Sequence, residues 1–345
     1  MAKIHHQIDA LHQLGRQIEA YPKEVELAAL RANRDNPWFT TEDINYALSV
    51  IAEQFLAKDK LEALVNQYPD IAKDQAPWKV GLVMAGNVPL VGFHDLLMVL
   101  LAGHHAIVKQ SSKDERLLPA VLQLLEDIEP ELANQVTIVD RLTGFDAVIA
   151  TGSNNTSRYF EYYFGQYPGI IRKNRNGVAV LTGHETQDDL RALGEDIFRY
   201  FGLGCRNVAK LYVPYGYDFQ KFWDVMDEYR AIIDHEKYKN NYDYNKAVLV
   251  MNEMPHMAND HLILMEHEQC ASPMAMLHYE YYETHDELQA KLAQKTEQVQ
   301  TIVSKEQLHE SAIPFGTTQQ PSLTDFPDDY DTLRFLLELG TAAMR

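Results

Sequence analysis

Apolar positions in the first 75 residues recur three and four apart, most clearly in DINYALSVIAEQFLAKDKLEALVNQY, and breaks at Tyr21-Pro22 and Asn36-Pro37 divide the stretch into separate helices. This predicts a helical lead-in. From Trp78 the period changes: KVGLVM, HAIVKQ, VTIVD and AVIATGS are short runs rich in β-branched residues, with helical patterns in LVGFHDLLMVLLAG and LLPAVLQLLEDI between them. Strands alternating with helices predict right-handed βαβ crossovers and a parallel sheet. A second such pattern follows Lys173: VAVLTG, KLYVP, KAVLVMN and MAMLHYEYY read as strands, with helices over TQDDLRALGEDIFRYFG, YDFQKFWDVMDEYRAII and DELQAKLAQKTEQV. The predicted division is residues 1–172, 173–325 and a tail at 326–345 holding the apolar helix DTLRFLLEL.

The chain has 345 residues, the size of about two domains, and its 46% apolar and 23% charged residues are ordinary for a soluble α/β protein. Fifty acidic against 31 basic side chains give a net charge of −19, which repels nucleic acid and anionic membranes. Two cysteines, Cys205 and Cys270, cannot staple a secreted fold, so a reducing compartment is expected. The N-terminus lacks the apolar core of a signal peptide, and VPLVGFHDLLMVLLAG is too short and too polar at His94 and Asp95 to span a bilayer. The expected location is cytoplasmic.

An open α/β sheet binds ligands at the carboxyl ends of its strands, which directs attention to the loops after Met84, Lys109 and Ala150. In MAGNVPL, Asn87 lies where its amide N–H can stabilise an oxyanion; the plainer reading is a cap for the next helix. Lys109 ends a strand and can hold a ribose or phosphate, or simply face water. Thr151, Gly152 and Ser153 set backbone donors at a helix start, suited to phosphate or to plain capping. Cys205, in YFGLGCRN, is flanked by Gly202 and Gly204, which admit close approach of a substrate, with Arg206 adding positive potential; the alternative is a small core residue. Neither a Walker A sequence nor the usual dinucleotide glycine fingerprint occurs.

In this order and spacing the motifs resemble the aldehyde dehydrogenase superfamily, and within it the acyl-CoA reductase branch that includes the bacterial bioluminescence fatty acyl-CoA reductase. Asn87-Val88-Pro89-Leu90 is similar to the oxyanion motif, Ala106-Ile107-Val108-Lys109 to the segment ending in the cofactor lysine, and Thr151-Gly152-Ser153 to the pyrophosphate loop. Cys205 falls at the nucleophile, and KNRNGVAVLTG, LGCRN and KLYVP resemble the reductase branch specifically. The resemblance spans roughly residues 78 to 280. It implies a Rossmann-type parallel-sheet cofactor domain at 1–172, an α/β catalytic domain at 173–325, and an oligomer. HEQCASP is similar to the loop holding the nicotinamide ribose, which assigns Glu268 to the cofactor, although its count to Pro273 is one residue longer than usual. Cys270 is read as structural.

Three departures carry information. Around Gly169-Ile170-Ile171-Arg172 the water-activating Glu of the aldehyde-oxidising relatives is absent. Ser112, followed by Lys113, stands where NAD-selective relatives carry a carboxylate for the adenosine ribose, so the resemblance implies NADPH. Ser157 replaces the Gly often found in the helix after Ser153. The implied activity is NADPH-dependent reduction of a fatty acyl-CoA to the aldehyde through a Cys205 thioester, with acyl-CoA or an acylated partner protein as donor. The alternatives are oxidation of free aldehydes and a non-catalytic acyl-transfer partner. No HExxH or CxxC supports a metal at His256, His261, His267 and Cys270, and the aromatic run Tyr159, Phe160, Tyr162, Tyr163 and Phe164 is expected to pack on a sheet.

Overall fold

The computed structural model describes residues 2–72 and 76–339. Four helices open the chain: α1 (Ala2–Glu19), α2 (Lys23–Asp35), α3 (Thr41–Val50), which runs on into a π-helical turn at Ile51–Phe55, and α4 (Lys58–Asn66). Thr40 caps α3 by accepting the Asp43 N–H at 3.1 Å. The buried stripes of these helices, including Ile8, Leu11, Ala29 and Ile44, join one apolar core with the α/β layer that follows.

That layer alternates β1 (Lys79–Val83), α5 (Phe93–Leu101), β2 (His105–Lys109), α6 (Leu117–Ile128), α7 (Pro130–Ala133), β3 (Val136–Ile138), β4 (Ala147–Thr151), α8 (Asn154–Phe164) and β5 (Gly169–Arg172). The strands form a wholly parallel sheet in the order β3-β2-β1-β4-β5. From β1 the chain steps outward to β2 and β3, then crosses to β4, so a topological switch point lies between β1 and β4. Strand β5 is not readable from sequence: Gly-Ile-Ile-Arg is too short to show a period. The aromatic run departs from expectation as well. Phe160 and Phe164 stack, and Phe164 meets Phe145 edge-on, but Tyr159, Tyr162 and Tyr163 are exposed on α8.

A second unit covers Asn174–Gln320. Its elements are β6 (Asn176–Val180), α9 (Gln187–Phe198), β7 (Val208–Pro214), α10 (Gln220–Met226), α11 (Glu236–Met251), β8 (Met257–Ala258), β9 (Ile263–Glu266), β10 (Met276–Tyr282), α12 (His285–Gln294), β11 (Val299–Ser304) and β12 (Ala312–Ile313). The sheet order is β12-β11-β6-β7-β10-β9-β8, parallel except where the short β8 meets β9. Leu190, Leu193 and Phe222 pack one face, and Leu288 and Leu292 of α12 pack the other against Val178 and Val180. The expected strand at KAVLVMN is instead the end of α11. Only Leu249 of that run is buried while Val250 and Met251 are exposed, and a short apolar run does not by itself separate helix from strand.

After Gln320 the chain returns to the first unit, ending in α13 (Thr332–Glu338). Buried His94 and His104 donate to the carbonyls of Leu323 and Leu336, each at 2.9 Å. Arg172, at the end of β5, pairs with Asp95 of α5 and donates to the Thr332 hydroxyl at 2.8 Å. No helix among the described residues is long and apolar enough to cross a membrane.

Candidate active site

The first unit gathers the predicted chemistry of three strand-end loops on one sheet edge. Asn87 follows β1, Lys109 ends β2 with Ser112 and Lys113 beyond it, and Thr151 ends β4 with Gly152 and Ser153 beyond it. Because β2, β1 and β4 are adjacent and parallel, all these residues lie at the carboxyl edge, around the switch point. The N-cap of α5 is Gly92, so capping is not the role of half-buried Asn87. Ser153 does cap α8, accepting the Thr156 N–H at 3.3 Å. Ser157 is buried, as a small residue in the first turns of α8 should be.

The loops after β1 and β2 are built against each other. A Cβ on Gly86 would lie 2.4 Å from the Ser111 hydroxyl, a space only glycine can leave. The Asp114 carboxylate accepts the Leu90 N–H at 2.7 Å, while Gln110 donates to the Asp114 carbonyl at 3.1 Å and Asn36 of the lead-in donates to the Lys113 carbonyl at 3.2 Å. Burial pushes the Asp114 carboxyl up to about 6, against the lowering effect of the Leu90 N–H. Ser112 and Lys113 stay exposed on this braced loop, and the half-buried Lys109 ammonium donates to the Gln110 carbonyl at 2.9 Å. Cations, hydroxyls and a helix start around a switch point form a donor set that fits a dinucleotide.

In the second unit Cys205 lies in a turn just before β7, at the amino edge of its sheet, and is half-buried. The approach to it is left-handed over three residues, Tyr200 (φ 53°), Phe201 (φ 57°) and Gly202 (φ 73°). Left-handed backbone costs roughly 1–2 kcal/mol per non-glycine residue, so the surroundings must hold it. Buried Asn207 does much of this: its carboxamide accepts the Gly204 N–H at 2.8 Å and donates to the carbonyls of Asp196 and Arg199, each at 2.9 Å. Gly177 of β6 donates its N–H to the Asn207 carbonyl at 2.8 Å, and a Cβ there would sit 2.5 Å from the Arg206 carbonyl. The Arg206 Nε donates to the Thr318 carbonyl at 2.7 Å. The Asp196 carboxylate accepts the N–H groups of Gly316 and Thr318 at 2.7 and 3.0 Å. Burial pushes Asp196 up to about 6, with those N–H groups acting in the opposite direction.

A pocket of about 210 Å³ opens beside this turn, walled by Phe198, Phe201, Leu203, Gly204, Tyr238 and Met276, with Asn174 and Asn176 among its polar lining. Glu268 is exposed in the loop after β9 and is not part of that wall. Its backbone carbonyl accepts from Lys210 of β7 at 2.8 Å. Cys270 beside it is buried, which pushes its thiol up.

Residues that hold the site escape a search for chemistry. Asp114 and Asn207 sit inside quoted motifs but carry no catalytic signature. Asp196 was visible only as a carboxylate on the stripe of Leu190, Leu193 and Ile197, a polar residue out of place on a buried face.

A profile of the acyl-CoA reductase (LuxC) family matches residues 20–217. Comparison with curated protein sequences finds no match. Solved structures share the fold at low identity. Aldehyde dehydrogenase 21 of Physcomitrella patens superposes with a TM-score of 0.67 at 10% identity, over 97% of this chain and 84% of its own. A betaine aldehyde dehydrogenase variant of Staphylococcus aureus, solved with NAD+, gives 0.63 at 13%, over 90% and 74%. An acetylating aldehyde dehydrogenase of Geobacillus thermoglucosidasius gives 0.59 at 11%, over 93% and 85%. The protein therefore has the aldehyde dehydrogenase fold and belongs to the acyl-CoA reductase (LuxC) family, enzymes of aldehyde-related oxidoreduction.

Proposed function

We propose that the protein reduces a fatty acyl-CoA to the aldehyde, with Cys205 as the acyl acceptor and NADPH as the reductant. The observation that carries this reading is the Cys205 turn: a half-buried thiol on a strained, fully braced backbone beside a pocket with aromatic and aliphatic walls. Strain of this kind is maintained by its surroundings and concentrates at functional sites.

In the first half-reaction the Cys205 thiolate attacks the thioester carbonyl, the C–S bond to CoA breaks, and CoA leaves as thiolate. The Asn87 side-chain N–H and the Cys205 backbone N–H are the proposed donors to the oxyanion. When bound, NADPH supplies the hydride for the second half-reaction. Cys205 then leaves the carbonyl carbon as thiolate, freeing the aldehyde, and is ready to accept again. Lys109, Ser112, Lys113, Thr151, Gly152 and Ser153 are the proposed cofactor contacts in the first unit, with Glu268 on the nicotinamide ribose. Ser112 brings no negative charge to an adenosine 2′-phosphate, and exposed Lys113 can pair with it.

Gly169-Ile170-Ile171-Arg172 itself carries no carboxylate for activating water, and the acidic side chains beside β5 are engaged, Asp95 by Arg172 and Glu161 by Lys173. General-base assistance is worth about 10²–10⁴-fold, so hydrolysis of the thioester is slow beside reduction. The test is a burst experiment with acyl-CoA and no cofactor. Acyl-enzyme on Cys205, discharged to aldehyde on adding NADPH, is the expected result. Fast release of free fatty acid from aldehyde and NADP+ without CoA would overturn the proposal in favour of aldehyde oxidation.

A further inference from the structure

Lys210, the third residue of β7, has no solvent-exposed surface. Its ammonium forms an ion pair with Glu280 of β10, lies 4.8 Å from the centre of the Tyr212 ring and donates to the Glu268 carbonyl at 2.8 Å. Glu280 also binds Lys291 of α12 at 2.6 Å. Desolvating an ammonium is costly, and an apolar side chain usually fills such a position at least as well, so a wholly buried lysine calls for a task that only a charged donor performs.

The loop supplies that task. Three successive residues are each met by an inward side chain of the sheet. Lys210 holds the Glu268 carbonyl, His278 donates from Nδ1 to the Gln269 carbonyl at 3.0 Å, and Cys270 is buried in the same apolar cluster as Tyr212. Lys210 pairs with His278, and Tyr212 with Glu280, in the register of β7 and β10. The motifs KLYVP and HEQCASP, separate in sequence, are thus a single assembly. The same strand that starts beside Cys205 anchors the loop that carries Glu268.

We propose that Lys210, seconded by His278, is a positioning residue for the cofactor: it fixes the 268–270 backbone so that Glu268 is presented to the nicotinamide ribose. This rests on the reading of Glu268 given above. The ammonium is suited to the work because its charge strengthens the bond to a neutral carbonyl, while Glu280, shared with Lys291, and Glu287, 3.2 Å from Lys291, balance the two ammonium groups.

Acylation of Cys205 by acyl-CoA needs no cofactor, so it separates loop positioning from general damage. In Lys210→Met the NADPH dissociation constant, read by fluorescence titration, is expected to rise at least tenfold, with the rate of cofactor-free acylation within twofold of the parent. In the same variant, acylated at Cys205, Cys270 should become reactive to a thiol reagent. His278→Phe keeps a ring and removes the donor to Gln269; it is the milder variant should Lys210→Met not fold, and should weaken NADPH severalfold. Glu268→Gln reports on the underlying reading. If Glu268→Gln weakens NADPH but neither Lys210→Met nor His278→Phe does, positioning is overturned. It is equally overturned if acylation falls as far as cofactor affinity. An unchanged NADPH constant in Glu268→Gln would remove the ribose role of Glu268 and the proposal with it.

Discussion

Asp114 and Leu90 tie two loops together: the Leu90 N–H donates to the Asp114 carboxylate at 2.7 Å while Leu90 holds a left-handed φ of 54°. A hydrogen bond to a charged acceptor contributes about 1.5–3 kcal/mol, enough to offset a left-handed residue at roughly 1–2 kcal/mol. Asn87 lies three residues before Leu90 in the same turn. Asp114→Ala is therefore expected to slow acylation by about tenfold or more, approaching the 10²–10³ typical of a lost oxyanion donor. Asp114→Asn retains an acceptor and should stay within a few-fold. Stopped-flow release of CoA distinguishes the two; equal losses would show that the carboxylate does not act through Leu90.

Ser112 and Lys113 stand exposed on the loop that Asp114 and Asn36 brace. Placing a carboxylate at Ser112 opposes a 2′-phosphate and offers an acceptor to a ribose hydroxyl. Ser112→Glu should weaken NADPH by about ten- to a hundredfold, the worth of one charge-assisted contact, and strengthen NADH relative to it. Parent and variant dissociation constants for both cofactors provide the check, and an unchanged ratio would contradict the assignment.

The Cys205 turn has no room at Gly177, where a Cβ would meet the Arg206 carbonyl at 2.5 Å. Since that clash is with backbone, Gly177→Ala should displace the turn. A drop of at least tenfold in Cys205 alkylation rate by iodoacetamide is expected, with β6 intact by circular dichroism. Asn207→Ala removes three hydrogen bonds, two to the turn and one to the last residues of α9, and strips that side-chain partner from the carbonyls of Asp196 and Arg199 and the N–H of Gly204. A loss of about 2–4 kcal/mol by denaturant titration follows from roughly 1 kcal/mol per neutral bond plus desolvated partners.

The C-terminal segment should respond to acid. His94 and His104 are buried, burial lowers both below the usual imidazole range, and both donate to carbonyls of that segment. A depressed histidine adds stability that is complete above its unfolded value near 6.5 and is lost as pH falls. Asp114 and Asp196, raised to about 6, run the other way: their contribution is complete below about 3.8 and is lost as pH rises through about 6. Replacing both histidines by Gln, which donates but does not titrate, should flatten the fall in Tm between pH 7 and 5.5. An equally steep fall would place the acid sensitivity elsewhere.

Much of the frame was legible because the βαβ period is strong where strands are long and buried. KVGLV, HAIVK and KLYVP became β1, β2 and β7, and LLPAVLQLLEDI became α6. What failed was short or locally ambiguous. GIIR is four residues, VQTIVS followed a helix reading that ran up to its first residue, and KAVLVMN extended a helix whose earlier turns are too polar to announce it. At the candidate site, the motifs proposed for the nucleophile and the cofactor loops were readable in order. Their supports, Asp196, Asp114 and Lys210, were not, because a buried charge is explained only by partners distant in the chain.

The second unit is spliced into the first between β5 and the segment leading to α13. During synthesis β1 to β5 emerge long before the residues that seat against His94, His104 and Arg172. The first unit thus waits, with the apolar side of α5 uncovered, while the whole of the second is made and can fold. Completing it requires closing a long chain excursion, which a pre-folded second unit shortens to the distance between its own ends. The folding of the proposed nucleophile's unit is in this way a step toward the completion of the proposed cofactor's unit, and a truncation just after Gln320 should leave the first unit prone to aggregation.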